Sequence, residues 1–138
     1  MYCDKSDVID IYGAVNVSAW ADIDNDKNSA KIDARIDRAI AWASDEIDSF
    51  LLNSIYQTPV SSADDTVPAD IRNLAATLAG VWLYESRGVV DFSPETGQVV
   101  HKLQWQRRRV YDTLRSILAG QRALKAKTKA DCYPKGVK

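Results

Sequence analysis

The stretch SAKIDARIDRAIAWASDEIDSFLLNSIY, Ser29 to Tyr56, places apolar residues at Ile32, Ile36, Ile40, Ala43, Ile47, Phe50 with Leu51, and Ile55. Steps of three and four residues are the period of a helix with one buried stripe, and no Pro or Gly interrupts them. Asp33, Arg35, Asp37, Arg38, Asp45, Glu46 and Asp48 occupy the remaining faces. The stripe is therefore one-sided and needs partners. At 1.5 Å per residue this helix would be on the order of 40 Å long, the width of a small domain, and the other helices are expected to pack around it.

Working outward, residues 4–12 read as a short opening helix with Asp4 as N-cap, Asp7 at the third helical position and Gly13 at the end. Val8, Ile11 and Tyr12 would face inward. Residues 14–21, AVNVSAWA, fit either a helical turn or an extended piece, and an acidic polar loop follows from Asp22 to Asn28. On the other side, QTPVSSADDT at 57–66 has no apolar period and reads as a loop. Thr66 is the expected cap of the next helix, with Pro68 in its first turn. Ile71, Leu74, Ala75, Leu78, Val81 and Trp82 form its buried face, and Ala75, Ala76, Ala79 and Gly80 would let another helix come close. Gly88 is expected to end it. A third long helix should start at Ser93-Pro94-Glu95 and run through Val99, Val100, Leu103, Val110, Leu114 and Ile117 to Gly120.

The expectation is an all-α domain over residues 1–120 followed by a basic tail at 121–138. That tail has six basic and one acidic side chain and too little apolar content to extend the core. The whole chain has 138 residues, 46% of them hydrophobic and 27% charged, which suits one globular domain. No apolar run approaches ~18 residues, and the N-terminus lacks the basic-then-apolar order of a signal peptide. Cys3 and Cys132 stand in no partner motif, as expected of reduced thiols. The net charge of −1 conceals an asymmetry: residues 1–70 hold 14 acidic and 5 basic side chains, a balance of −9. Residues 71–138 hold 5 acidic and 13 basic, a balance of +8. Such a molecule is suited to head-to-tail self-association more than to binding a polyanion, unless folding interleaves the two halves and cancels the asymmetry.

Few residues suggest chemistry. Asp22, Asp24, Asp26 and Asp33 mimic the spacing of a calcium loop, but Lys27 stands where a Gly is needed and Asp33 is shorter than the usual bidentate Glu. No metal is assigned there. His101 has no ligand set around it, there is no phosphate-cradling Gly loop, and Asp45, Glu46 and Asp48 cannot converge on one face. The chain is read as having neither enzymatic activity nor cofactor. The tract Gln104-Trp105-Gln106-Arg107-Arg108-Arg109 admits three readings: Trp105 in the core with arginines in solvent, a protein interface, or a nucleic-acid contact aided by the basic tail.

Three motifs carry a family resemblance: MYxxxxDVI at Met1–Ile9, IDxxIxxAIxxASxEIDSxL at Ile32–Leu51 with Tyr56 after it, and VPADIRNLA at Val67–Ala75. Together they resemble Mu-like phage and prophage head–tail connectors, which are similar to the wider set of head-completion adaptors. The resemblance covers roughly residues 1–118 and brings no catalytic residues. It implies a virion protein, made in the host cytoplasm, that forms a ring, commonly twelvefold, beneath the portal. The ring would extend the channel through which DNA passes and present a surface to a stopper or tail-completion protein. It also implies portal docking through the C-terminal segment, here Arg122, Lys125, Lys127, Lys129 and Tyr133. Removing everything after Gly120 would then spare the fold and abolish attachment. Ring contacts are expected between Asp37, Asp45 and Asp48 on one copy and Arg107, Arg108 and Arg115 on the next. The alternative is a small helical nucleic-acid-binding protein using Arg107–Arg109 and the tail, without a membrane role in either case.

Overall fold

The structure, a computed structural model, describes residues 1–87, the backbone of 91–92 and 99–100, and residues 103–129. Helix α1 spans Lys5–Tyr12, opened by a full capping box: Asp4 accepts from the Asp7 N–H at 3.2 Å, and Asp7 accepts from the Asp4 N–H at 3.0 Å. Gly13, at φ +88°, closes α1 and starts α2 at Ala14–Ala21, so the ambiguous stretch is helical. Helix α3 covers Ser29–Leu51, with the Asn28 side chain accepting from the N–H groups of Ala30 and Lys31. Helices α4 at Ala69–Ser86 and α5 at Gln104–Leu118 complete the all-α body.

Three boundaries differ from the sequence reading, each for a local reason. Helix α3 stops before Tyr56 because the Ser54 hydroxyl and N–H both turn back onto the Leu51 carbonyl, at 2.6 and 3.0 Å, in place of a further helical turn. This leaves Ile55 65% exposed and swings Tyr56 inward. Thr66 does not cap α4; its hydroxyl is used within the loop by Asp64 at 2.7 Å, and Pro68 holds the cap position. The long C-terminal helix starts only at Gln104. Before it, β1 at Asp91–Phe92 and β2 at Val99–Val100 pair antiparallel, an extended geometry suited to the two β-branched valines. Ser93-Pro94-Glu95 and Gly88 lie outside the described residues.

Packing centres on the α3–α4 pair: each of them touches all four other helices, and their most extensive contact is with each other. The buried side of α4 spans Ile71, Ala75, Ala76, Leu78, Ala79, Gly80, Val81, Leu83 and Tyr84, more than one stripe can hold. Helix α3 lays Ile36, Ala39, Ile40, Ala43, Ile47 and Leu51 along it. The small residues of α4 do admit a neighbour: the Tyr12 ring of α1 lies over Gly80, with its hydroxyl donating to the Thr77 carbonyl at 2.8 Å. Tyr12, Trp20 and Tyr84 then stack edge to face at centroid spacings of 5.3 Å.

Two tyrosine hydroxyls tie distant segments together. Tyr2 donates to Asp48 on α3 and accepts the Val60 N–H at 2.7 Å, pinning the N-terminus and the 57–66 loop to one helix. Tyr56 accepts the Leu124 N–H at 2.7 Å. The chain past Gly120 is thus part of the body as far as Lys129, contrary to the reading that its apolar content adds no core. Leu124 is buried, and the Lys127 and Lys129 N–H groups donate to Ser61 and Ile55 at 2.8 Å each. A single Leu suffices because the backbone of 55–61 holds it in place.

Burial gives the fold an alkaline limit. It pushes the Cys3 thiol from 9.0 up to about 12, helped by Asp7 and Asp4. Burial likewise raises the Tyr2 hydroxyl, with Asp48 beside it, and the Tyr12 hydroxyl above their ordinary 10.0. A group held protonated in the folded state stabilises fully below its unfolded value, and that contribution is lost as pH climbs toward the folded value. Stability should therefore be flat up to pH 9, fall first through Cys3 and then, above pH 10, through the tyrosines. After allowance for solvent screening of the thiol, about 1 kcal/mol should be gone by pH 10. Thermal melts across this range test it, with Cys3→Ala removing the first phase; equal melting temperatures at pH 8 and above pH 10 would refute it.

Candidate functional site

The acidic loop supplies its own cation. The Lys31 ammonium lies 2.8 Å from Asp26 and 3.4 Å from Asp24, and Asp22 accepts from the N–H groups of Asp26 and Lys27 at 3.2 Å. The hydrogen bond from Lys31, then that from the Asn28 N–H, hold the Asp26 carboxyl below the usual carboxylate range. Asp33 is not part of this group; it pairs with Lys5 of α1 at 2.5 Å. Lys27 turns at φ +54°, so the chain makes its tight turn without a glycine. Among the described residues no group of three or more His, Cys, Asp or Glu is arranged to hold a metal. His101 falls outside them. Arg87 fastens the loop from behind, donating to the carbonyls of Ala19 and Asp22 (the latter at 2.7 Å) and to Asn25 at 2.7 Å.

The basic residues of the C-terminal segment do not share one surface role. Arg122 meets Asp70 at 3.4 Å, Lys127 meets Asp65, and the Lys129 ammonium donates to the Leu52 carbonyl at 2.7 Å. Lys125 is exposed beside an open groove of about 880 Å³ between the 62–70 loop and residues 123–127. Tyr133 lies outside the described residues.

The residues expected to join copies divide in the same way. Asp48 is committed inside the subunit to Tyr2, whereas Asp37 and Asp45 stand exposed and form no ion pair among the described residues. Arg107 is bound to Glu85 at 2.9 Å and Arg115 to Asp112 at 3.0 Å. Arg108 lies over the Trp105 ring at 5.9 Å, and Trp105 is 65% exposed instead of lying in the core. Its phase could have been read from the sequence: with Val110, Leu114 and Ile117 inward, position 105 points to the opposite side of α5. Arg109, exposed beside Trp105, Arg108 and Asp112, belongs to the same surface.

This surface of helices, without a gathered set of reactive groups among the described residues, is what the comparisons bear on. A family model described as Bacteriophage Mu, Gp36 matches residues 2–136. The chain belongs to the Bacteriophage Mu Gp36 family. The match takes in the helical body and the docked segment at 121–129 together, so this Gp36-family chain is a Mu-like phage protein over nearly its whole length. Comparison with curated proteins gives no match. Among the described residues of this Gp36-family chain, no helix is long and apolar enough to cross a membrane.

Proposed function

We propose that this protein is a structural head–tail connector, a non-enzymatic adaptor that assembles as a ring beneath the portal. There it extends the DNA channel and offers a surface to a stopper or tail component. The observation that carries this reading is the family match across residues 2–136. Supporting it, the folded body presents rigid helices with charged outer faces. The 121–129 segment is held along one edge of that body, in place to meet a partner without first being ordered.

Portal docking is assigned to the groove that Lys125 and Lys127 line, with Arg122 on Asp70 at its edge. Lys125 is the exposed cation at this groove, so Lys125→Glu should weaken portal binding by roughly 5- to 50-fold, while a surface change of this kind alters stability by about 0.5 kcal/mol or less. Mass measurement of mixtures with purified portal tests both statements. The wild type should join the portal as a ring of defined copy number; a wild type that never co-migrates with portal would end the adaptor reading.

A further inference from the structure

We infer that the outward stripe of α5 is the docking face for the outward stripe of α3 on a second copy of this chain, with Trp105 as its anchor. The stripe of α5 comprises Trp105, Arg108, Arg109, Asp112 and Ser116, spaced at three and four residues opposite the buried Val110, Leu114 and Ile117. It borders a shallow hollow of about 510 Å³. The stripe of α3 comprises Ala34, Asp37, Arg38, Ala41 and Asp45, opposite the buried Ile36, Ile40 and Ile47.

The two stripes are complementary in charge and shape. One offers two arginines, one aspartate and a large exposed ring; the other offers two aspartates, one arginine and two alanines that leave room for a ring. Among the described residues, Arg108, Arg109, Asp37, Arg38 and Asp45 form no ion pair within the subunit. Arg107, Arg115 and Arg122 are already neutralised by Glu85, Asp112 and Asp70. What remains unpaired on α5 is Arg108 and Arg109, two cations sized for a few carboxylates, with the Asp112–Arg115 pair beside them, and that is too little charge to track a phosphate backbone. An exposed Trp flanked by Arg is the composition of an interface anchor. Because the two faces are different surfaces, the contact is heterologous and each copy keeps one of each open, the arrangement that closes into rings.

The inference rests on the ring reading in supposing several copies in contact, and it narrows the expected pairs to Asp37 and Asp45 against Arg108 and Arg109. The test is made without portal: light scattering and analytical ultracentrifugation of the full chain across concentration and salt. The wild type should self-associate, less so as salt rises. Trp105→Ala should raise the dissociation constant at least about tenfold, as for an interface hot spot. Arg108→Asp with Arg109→Asp, and separately Asp37→Arg with Asp45→Arg, should each give monomers with unchanged melting temperature. Mixing those two monomeric variants should restore association, since each supplies the face the other lacks. A wild type that stays monomeric at about 1 mM, or variants that associate as it does, would overturn the inference. Portal capture is scored separately: binding without self-association would sink this contact and leave the adaptor reading standing, and self-association without portal binding would do the reverse.

Discussion

Gly80→Ala should destabilise the protein by about 3 kcal/mol, although the same change inside an ordinary helix stabilises by up to about 1 kcal/mol. The sign reverses because a Cβ built on Gly80 would lie 2.0 to 2.8 Å from Cε2, Cδ2 and Cζ of Tyr12. That ring cannot move aside cheaply. Its hydroxyl is bound to the Thr77 carbonyl at 2.8 Å, and its edge meets Trp20, which in turn packs on Tyr84. Overpacking of this kind costs about 1–3 kcal/mol, and losing the buried hydroxyl's partner adds about 1 kcal/mol or more. For a domain of this size the melting temperature should fall by about 10 °C. Tyr12→Ala alone should also destabilise, through the cavity it leaves. The double variant should cost less than the two singles together by more than about 1 kcal/mol, because only one of them can act through the ring. Strict additivity, or a Gly80→Ala protein that melts with the wild type, would show that α1 does not pack on α4 in this way.

The same contact shows what could and could not be read from the chain. A run of Ala75, Ala76, Ala79 and Gly80 announced that something approaches α4 closely, but not that it would be an aromatic ring from a helix over sixty residues away. The length and clean stripe of α3 made it look like the centre. A single stripe, however, is the mark of a helix with one face in water, and α3 does keep Asp37, Arg38 and Asp45 exposed. Helix α3 shares the centre with α4, whose apolar residues surround it and so show no single stripe: each of the two touches all four other helices. The burial of α4 was legible in the scarcity of charge between Arg72 and Glu85. Endings were harder. Asp4 was legible as the N-cap of α1, whereas the stop at Leu51 depends on a Ser54 hydroxyl that could equally have faced solvent.

Charge was legible as composition and illegible as pairing. The acidic and basic halves of the chain meet within the subunit at Lys127–Asp65, Arg122–Asp70 and Arg107–Glu85 is added within the basic half. Each involves partners far apart in sequence, so no local spacing could forecast which arginines would be left over. The exceptions are local: Lys31 follows Asp24 and Asp26 closely enough for one turn of α3 to reach both, and Arg115 lies three residues after Asp112 on α5.

Ending the chain after Gly120 should lower stability by about 2–4 kcal/mol, in place of sparing the fold. The truncation removes Leu124 from the core, where a buried Leu contributes about 2 kcal/mol. It also strips the Tyr56 hydroxyl of the Leu124 N–H and leaves the 55–61 backbone without the Lys127 and Lys129 donors and the Lys127 acceptor. Part of this loss is offset, since the missing residues no longer need ordering. Leu124→Ala isolates the packing contribution and should account for about 2 kcal/mol by itself. A chain ending at Lys129 keeps every one of these contacts and serves as the control. Denaturant titration of the three proteins checks the order: full chain and Lys129 end highest, Leu124→Ala lower, Gly120 end lowest. If the Gly120 end matched the full chain, residues 121–129 would not belong to the folded body. Loss of portal binding on truncation could then be read directly as loss of a docking tail. If the expected order holds, a truncated protein that fails to attach has lost shape as well as charge, and only point changes such as Lys125→Glu can separate the two.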